Sequence, residues 1–324
     1  MTDLYYYVLS VIILGAGGGG LYWYLRTLHA KRPITKTGKV FNTLPSEDIS
    51  PPLAARMVRA DKANGWQLVM AMLMDLARRS VLRFEERRQR ALIGMTTEYY
   101  VIRQTKLVEL TELEQTMLHM TFGYGEDGMD EIASLSKMEN RFRKKSNKFL
   151  LVIDEDLRQR GLMQAERIRI RQRMVYAGYV LVIGSFLFSF MPSAIASSGA
   201  FFIFTTSLFI LGAAIMLSSR YIPVLTEQGE QEAVHWQGFM AYIKDVAEGK
   251  QTPVESDRLT FEHYISYAIA FDIGAQWINF FSEKSKIPMP DWFPPMTESG
   301  GTWFSSVTSS FGGKRRSNDR QNDE

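Results

Sequence analysis

Glu232 and His235 stand in an E-x-x-H arrangement, the spacing by which a carboxylate and an imidazole share one helix face in di-iron carboxylate bundles. Such a centre also needs a second motif and two further carboxylates. Glu262 and His263 are adjacent rather than three apart, and the remaining histidines, His29 and His119, are scattered. A surface glutamate and a helix-packing histidine is therefore the preferred reading. Gly123–Gly128 (GYGEDG) fits G-x-G-x-x-G letter for letter. A dinucleotide fingerprint requires a strand before it and a helix N-terminus behind it. Here a helical pattern precedes it, and Glu126 and Asp127 would repel a pyrophosphate, so a loop is expected. No Ser-His-Asp arrangement, Walker A sequence or H-E-x-x-H helix occurs. The chain has no cysteine, which excludes disulfides, thiolate catalysis and cysteine-ligated metals. No catalytic, cofactor-binding or metal residue is assigned, and no cofactor is expected. The expected class is not an enzyme; an enzyme with an unrecognised site ranks last among the alternatives.

The elements that hold these residues are set by three apolar stretches. Residues 174–191 and 199–217 contain no ionisable side chain and are each about long enough to cross a hydrocarbon core of ~30 Å. Arg167, Arg169, Arg171 and Arg173 precede the pair, and Arg220 follows it. That asymmetry predicts a hairpin, residues 166–221, with both ends on the cytoplasmic side. Residues 4–25 form a third apolar stretch, followed by Arg26, Lys31 and Arg32, which places the N-terminus outside. Only Asp3 precedes it, so it lacks the basic start of a signal peptide. Gly15 and Gly19 have the small-xxx-small spacing of close helix contacts, as a seam or as part of a plain anchor.

Charge follows the same division. Residues 41–165 carry 19 Lys+Arg and 18 Asp+Glu; residues 222–324 carry 9 and 15; the apolar segments and their flanks carry 10 and 2. The basic excess thus lies at the bilayer, which points to lipid headgroups rather than to a nucleic-acid-binding domain. With no ionisable group inside the hairpin, a solute pathway is not expected there.

The domain plan is a transmembrane helix at 1–25, a basic linker at 26–50, a folded domain at 51–165, the hairpin, a helical unit at 222–295 and a disordered tail at 296–324. In the first domain, Ser50, Pro51 and Pro52 open a helix, and a second follows over about 66–79. SVLRFEERR and EYYVIRQ read as paired strands. Helix, helix and β-hairpin outline a winged helix. A helix at Leu110–Phe122 opened by Thr111 follows, then a long helix over Ser136–Arg160 closed by Gly161. In the third part, Trp236 and Phe239 on one helix and Phe261 and Trp277 on the next predict two antiparallel helices with facing aromatic stripes. These aromatics, with Trp292, are expected to pack or to touch a partner. The fold class is a mainly α membrane protein: three transmembrane helices, a cytoplasmic winged-helix-like α+β domain and a C-terminal cytoplasmic helical hairpin.

Two basic clusters raise the question of phosphate contact: Arg78, Arg79, Arg83, Arg87, Arg88 and Arg90, and Lys137, Arg141, Arg143, Lys144, Lys145 and Lys148. Acidic neighbours offset them, and lipid or protein contact is ranked above nucleic acid.

The order of segments, with LMDLARRSVLRFEE, LTELEQTML, RQRGLM, LTEQGEQEAVHWQGFMAYIKDVAE and FEHYISYAIAFDIGAQWINFF, resembles the C-terminal two-thirds of the YciQ-like bacterial membrane proteins of unknown function. The resemblance covers about residues 1–292. It implies no catalytic residue. Members of that family usually carry an extracytoplasmic β-rich domain before the first span, so such a domain is expected to be absent or supplied by another chain. The resulting expectation is a non-enzymatic scaffold or docking subunit of an envelope complex in the bacterial inner membrane. Its expected partners are membrane lipids, other membrane or envelope proteins (a separate extracytoplasmic β-domain protein among them) and further copies or subunits in a homo- or hetero-oligomer. A membrane-tethered regulator that binds nucleic acid through the winged-helix-like domain is the alternative.

Overall fold

A computed structural model describes residues 2–29, 43–59, 65–90, 95–104, 109–125, 128–129, 131–189, 199–253, 257–284 and 290–293. Most of the linker, the hairpin loop and the tail at 296–324 lie outside these residues. The chain divides into two compact units, one of Met1–Ile34 with Gly161–Gln228 and one of Thr35–Arg160 with Gly229–Glu324.

The first unit is built from three helical segments. Helices α1 (Thr2–Ile12) and α2 (Gly18–His29) are joined through a π-helical turn, Ile13–Gly17. Helices α8 (Ala165–Ser189) and α9 (Gly199–Ser218) form the hairpin. Among the described residues, two helical stretches, Leu4–Thr27 and Gly199–Tyr221, are long and apolar enough to cross a membrane. Helix α8 takes in the whole arginine run, so its described apolar part is limited to Met174–Ser189.

Glycines set the distance between α8 and α9. A Cβ on Gly178 would lie 2.8 Å from the Gly212 carbonyl oxygen, and one on Gly212 would lie 2.9 Å from Leu181 Cβ. The two backbones therefore meet at contact distance, as small residues permit in apolar surroundings where no hydrophobic force drives association. Helix α9 also carries the N-terminal helix: Tyr6 meets Phe201 edge-on at 5.7 Å and Phe204 at 5.8 Å. Leu211 fills the space over Gly17 in the π-turn.

Burial in this unit is reversed relative to a water-soluble bundle. Ser10, Ser185, Thr205 and Ser207 are buried, and each hydroxyl donates to a carbonyl three or four residues earlier in its own helix. Leu4, Val11, Val180, Phe186, Leu187, Phe202 and Ile210 are exposed. At the base of the hairpin, Met163 and Leu225 form an antiparallel bridge. Gln164 N–H donates to Val224 O at 2.9 Å, Thr226 N–H to Leu162 O at 3.0 Å, and the Thr226 hydroxyl to Gly161 O at 2.8 Å. Gly161, at φ +73°, supplies the left-handed residue that ends the preceding helix.

In the second unit, α3 (Pro51–Arg59) and α4 (Gly65–Arg78) lead into the antiparallel strands β1 (Leu82–Arg90) and β2 (Met95–Arg103). Helix α5 (Glu112–Phe122) starts with a full capping box between Thr111 and Glu114. A two-residue ladder, β3 (Tyr124–Gly125) with β4 (Gly128–Met129), follows, and β5 (Ile132–Ser134) then adds to β2 as the third strand. That third strand comes from downstream of the hairpin. The helix expected over 136–160 is two helices, α6 (Leu135–Arg143) and α7 (Ser146–Gln159). Lys145 leaves helical geometry (φ −118°, ψ 5°), so that Phe142 and Phe149 can meet edge-on at 5.4 Å inside the core. The expected continuous helix is thereby corrected: burial of two aromatics on opposite sides of the corner outweighs local helical propensity.

The last helices are α10 (Glu227–Ala247), α11 (Asp257–Ala270) and α12 (Gly274–Asn279), the last running into a π-turn, Phe280–Lys284. Helices α10 and α11 are antiparallel by their contacts: Trp236 stacks on Tyr267 at 5.3 Å, and Phe239 meets Tyr264 edge-on at 5.1 Å. From Tyr264 onward, helix α11 is enclosed on every face. Tyr264–Phe271 are all buried, as are Trp66–Met74 of α4, which packs against it. A helix apolar all round needs neighbours all round. The Gln67 amide donates to Ile269 O at 2.7 Å and to Asp272 at 3.1 Å; Arg59 pairs with Asp272 at 3.1 Å. Asp272 sits at φ +68°, a conformation Asp tolerates better than most residues. The Tyr267 hydroxyl donates to Ile49 O at 2.9 Å, and burial raises its pKa above the usual tyrosine value. The segment expected as a separate unit at 222–295 thus shares one core with the segment expected at 51–165.

Two outcomes follow from this packing. Gly178→Leu should destabilise the purified protein in detergent by ~1–3 kcal/mol or more, the range for overpacking, read as a lowered Tm. Gly184→Leu, whose Cβ position is open, should leave Tm nearly unchanged. Expressed alone, residues 222–295 should fail to give dispersed amide resonances, because α11 lacks α3 and α4; a cooperatively folded fragment would contradict the shared core.

Candidate functional site

The residues singled out for chemistry are held apart. On α10, Glu232 is half-buried and His235 is exposed. On α11, Glu262 accepts from Arg258 Nε at 2.9 Å, while His263 is exposed and its ring lies 6.2 Å from that of Tyr264. Among the described residues, no group of three or more His, Asp or Glu could hold a metal ion. His119 is half-buried on α5; the His29 side chain lies outside the described residues. The GYGEDG motif connects α5 to the β3–β4 ladder: Gly123 ends the helix at φ +88°, and Glu126 and Asp127 lie outside the described residues. The strand-then-helix context of a dinucleotide site is not what these elements provide.

Three arginines of the first basic cluster are paired within the fold. Arg78 pairs with Asp75 at 3.0 Å, and Arg79 pairs with Asp75 at 3.1 Å and with the buried Glu114. Arg87 pairs with Glu85 at 2.9 Å and lies over the Tyr100 ring at 4.7 Å. Arg83 is exposed; the side chains of Arg88 and Arg90 lie outside the described residues. Arg56, which the sequence reading passed over, forms a two-pronged pair with Asp154 at 2.7 and 2.9 Å and ties α3 to α7. In the second cluster, Arg143 pairs with Glu139 at 3.0 Å, while Lys137, Lys144, Lys145 and Lys148 are exposed.

The residues assigned to the membrane flanks divide as follows. Arg26, Arg169, Arg173 and Arg220 are exposed, Arg171 is half-exposed, and Arg167 donates to Pro223 O at 3.3 Å beside the bridge at the hairpin base. Lys31 and Arg32 lie outside the described residues. Gly15 and Gly19 meet nothing of their own chain within 4 Å of a Cβ; Gly17 is the glycine that packs on Leu211. Gly17, Gly178 and Gly212 were not singled out from the sequence, although small residues inside an apolar stretch are the signal for such contacts.

The aromatics placed as packing or partner contacts are core. Trp236, Phe239 and Trp277 are fully buried, and Phe261 is nearly so, meeting Phe281 and Phe293 at 5.7 Å each. Trp292 is half-buried beside Phe293. Their burial makes them braces between helices, not faces offered to solvent. Tyr267, which stacks on Trp236 and reaches Ile49, was missed because its role depends on a residue more than two hundred positions away.

The family model described as "Predicted membrane protein (DUF2207) C-terminal domain" matches residues 39–281. The match runs from the approach to α3, through the α8–α9 hairpin, to Phe281, a buried residue of the π-turn after α12. No curated protein and no solved structure matches the chain. The contiguous match spans both halves of the shared core together with the helical hairpin between them, and the chain belongs to this family of predicted membrane proteins of unknown function.

Proposed function

We propose that the protein is a non-enzymatic bacterial inner-membrane protein that holds its folded second unit at the cytoplasmic face as a docking subunit of an envelope complex. The observation that carries this reading is the reversed burial of the first unit, with hydroxyls inward and Phe, Leu and Ile outward. In water, contiguous exposed apolar surface of that kind is unfavourable; in lipid it is the expected arrangement. Three spans fit it: α1–α2, α8 with the two apolar residues that follow it in sequence, and α9. The positive flanks set the N-terminus outside and residues 35–160 and 229–324 inside. The bridge between Met163 and Leu225 suits a hairpin whose two ends emerge together on that side.

In this reading, α3, α4, β1, β2 and β5 act as a winged-helix-like module that contacts protein rather than nucleic acid. The engagement of Arg78, Arg79 and Arg87 by carboxylates favours that choice, because guanidinium groups already paired are poorly placed to neutralise phosphates. The docking partners are envelope proteins, a separate extracytoplasmic β-domain protein or further copies of this chain. The role needs no cofactor.

The absence of cysteine makes the topology directly testable. Thr2→Cys should react with a membrane-impermeant maleimide in spheroplasts, whereas Gln228→Cys and Lys250→Cys should react only after lysis; labelling of Lys250→Cys before lysis would overturn the orientation. A photo-crosslinker at Ile132 or Leu259, both exposed, should trap species larger than the monomer in cells. Recovery of monomer alone from both positions would sink the docking role.

A further inference from the structure

The corner between α6 and α7 presents Lys144, Lys145 and Lys148 to solvent on a rigid support, and from it we infer that this corner is a second, peripheral contact with the anionic surface of the membrane. The inference rests on the cytoplasmic orientation proposed above.

The support is fixed from within. Phe142 and Phe149, on the two sides of the corner, are buried against each other, and Trp66 meets Phe142 at 5.8 Å. Lys145 N–H donates to Phe142 O at 2.7 Å, and Ser146 Oγ to Arg143 O at 3.4 Å. The lysine backbone is thus held in place while the side chains point away from the core. Residues 140–153 carry Arg141, Arg143, Lys144, Lys145 and Lys148 and no acid.

The local chemistry works against the helix and in favour of an anion. Helix α7 has no side-chain cap and no acidic residue in its first turn. Cations at a helix N-terminus oppose the macrodipole and add to the positive potential already there. Leu151, one turn beyond Lys148, is 58 % exposed. Exposed lysines with an adjacent exposed leucine match the chemistry of interfacial binding, in which cations meet headgroups and an apolar side chain enters the acyl boundary.

In sequence the corner precedes Met174, the start of the apolar part of the hairpin, by about thirty residues. A polybasic segment on the cytoplasmic side is attracted by anionic lipid and released by salt, the field falling off within a Debye length of ~8 Å. Three lysines so placed would shift local occupancy on the order of 100-fold.

The test uses the full chain with a single Asn147→Cys carrying an environment-sensitive fluorophore. The protein is reconstituted in vesicles of phosphatidylcholine alone or mixed with phosphatidylglycerol, with a headgroup-attached quencher in each. Stronger quenching in the anionic vesicles, abolished by high salt and by the triple change Lys144→Gln, Lys145→Gln and Lys148→Gln, is the expected result. Equal quenching in both lipids, or quenching that survives the triple change, would overturn the inference. So would tight, salt-sensitive binding of a fluorescent DNA or RNA oligonucleotide to the protein in neutral vesicles that is lost in the triple variant, since that would assign the corner to nucleic acid. Because the triple change lies on the surface, unaltered Tm of that variant separates lost contact from lost folding. Failure of the underlying orientation is read independently, as labelling of Asn147→Cys by impermeant maleimide in spheroplasts.

Discussion

The contact between α4 and α11 is the constraint on which the second unit depends. Each helix is buried around its whole circumference over the stretches Trp66–Met74 and Tyr264–Phe271, so neither can be stable with one face in water. They lie some two hundred residues apart, and the Gln67 amide crosses between them to Ile269 O and Asp272. The chain must therefore complete the α8–α9 hairpin before the core laid down by α3 and α4 can close. In that sense the hairpin is an insertion within a folding unit, and the family match over 39–281 includes it as one piece.

An insertion of this kind demands that its two ends be close. The bridge between Met163 and Leu225, with its flanking hydrogen bonds, meets that demand at the base of the hairpin. Within the hairpin, backbone contact at Gly178 and Gly212 substitutes for the hydrophobic force that is missing between helices in an apolar medium. Buried hydroxyls bonded to their own helix carry no unsatisfied polar cost, which lets small polar residues line the interior while large apolar ones face out.

Three ion pairs of the second unit hold the fold together. Arg56 with Asp154, Arg79 with Glu114 and Arg59 with Asp272 each join elements far apart in sequence. Two-pronged guanidinium–carboxylate geometry, as between Arg56 and Asp154, gives orientation as well as energy. The lysines at the α6–α7 corner are different in kind, being compact exposed charges on a fixed backbone beside an exposed leucine.

What the sequence by itself determined was everything that depends on neighbours within a turn or a strand pair. The apolar stretches and their arginine flanks, the Pro51 helix start, the helix opened by Thr111, the β1–β2 pairing and the left-handed Gly161 all follow from local chemistry. The tertiary structure alone decided that α11 joins α3 and α4 in one core, that Ser136–Arg160 breaks at Lys144–Lys145, and that Gly17 rather than Gly15 or Gly19 takes a helix contact. It also turned Trp236, Phe239 and Trp277 from candidate contacts into core. The physical reason is common to all four. An apolar periodicity says that a face must be covered, and only the arrangement of distant segments says by what.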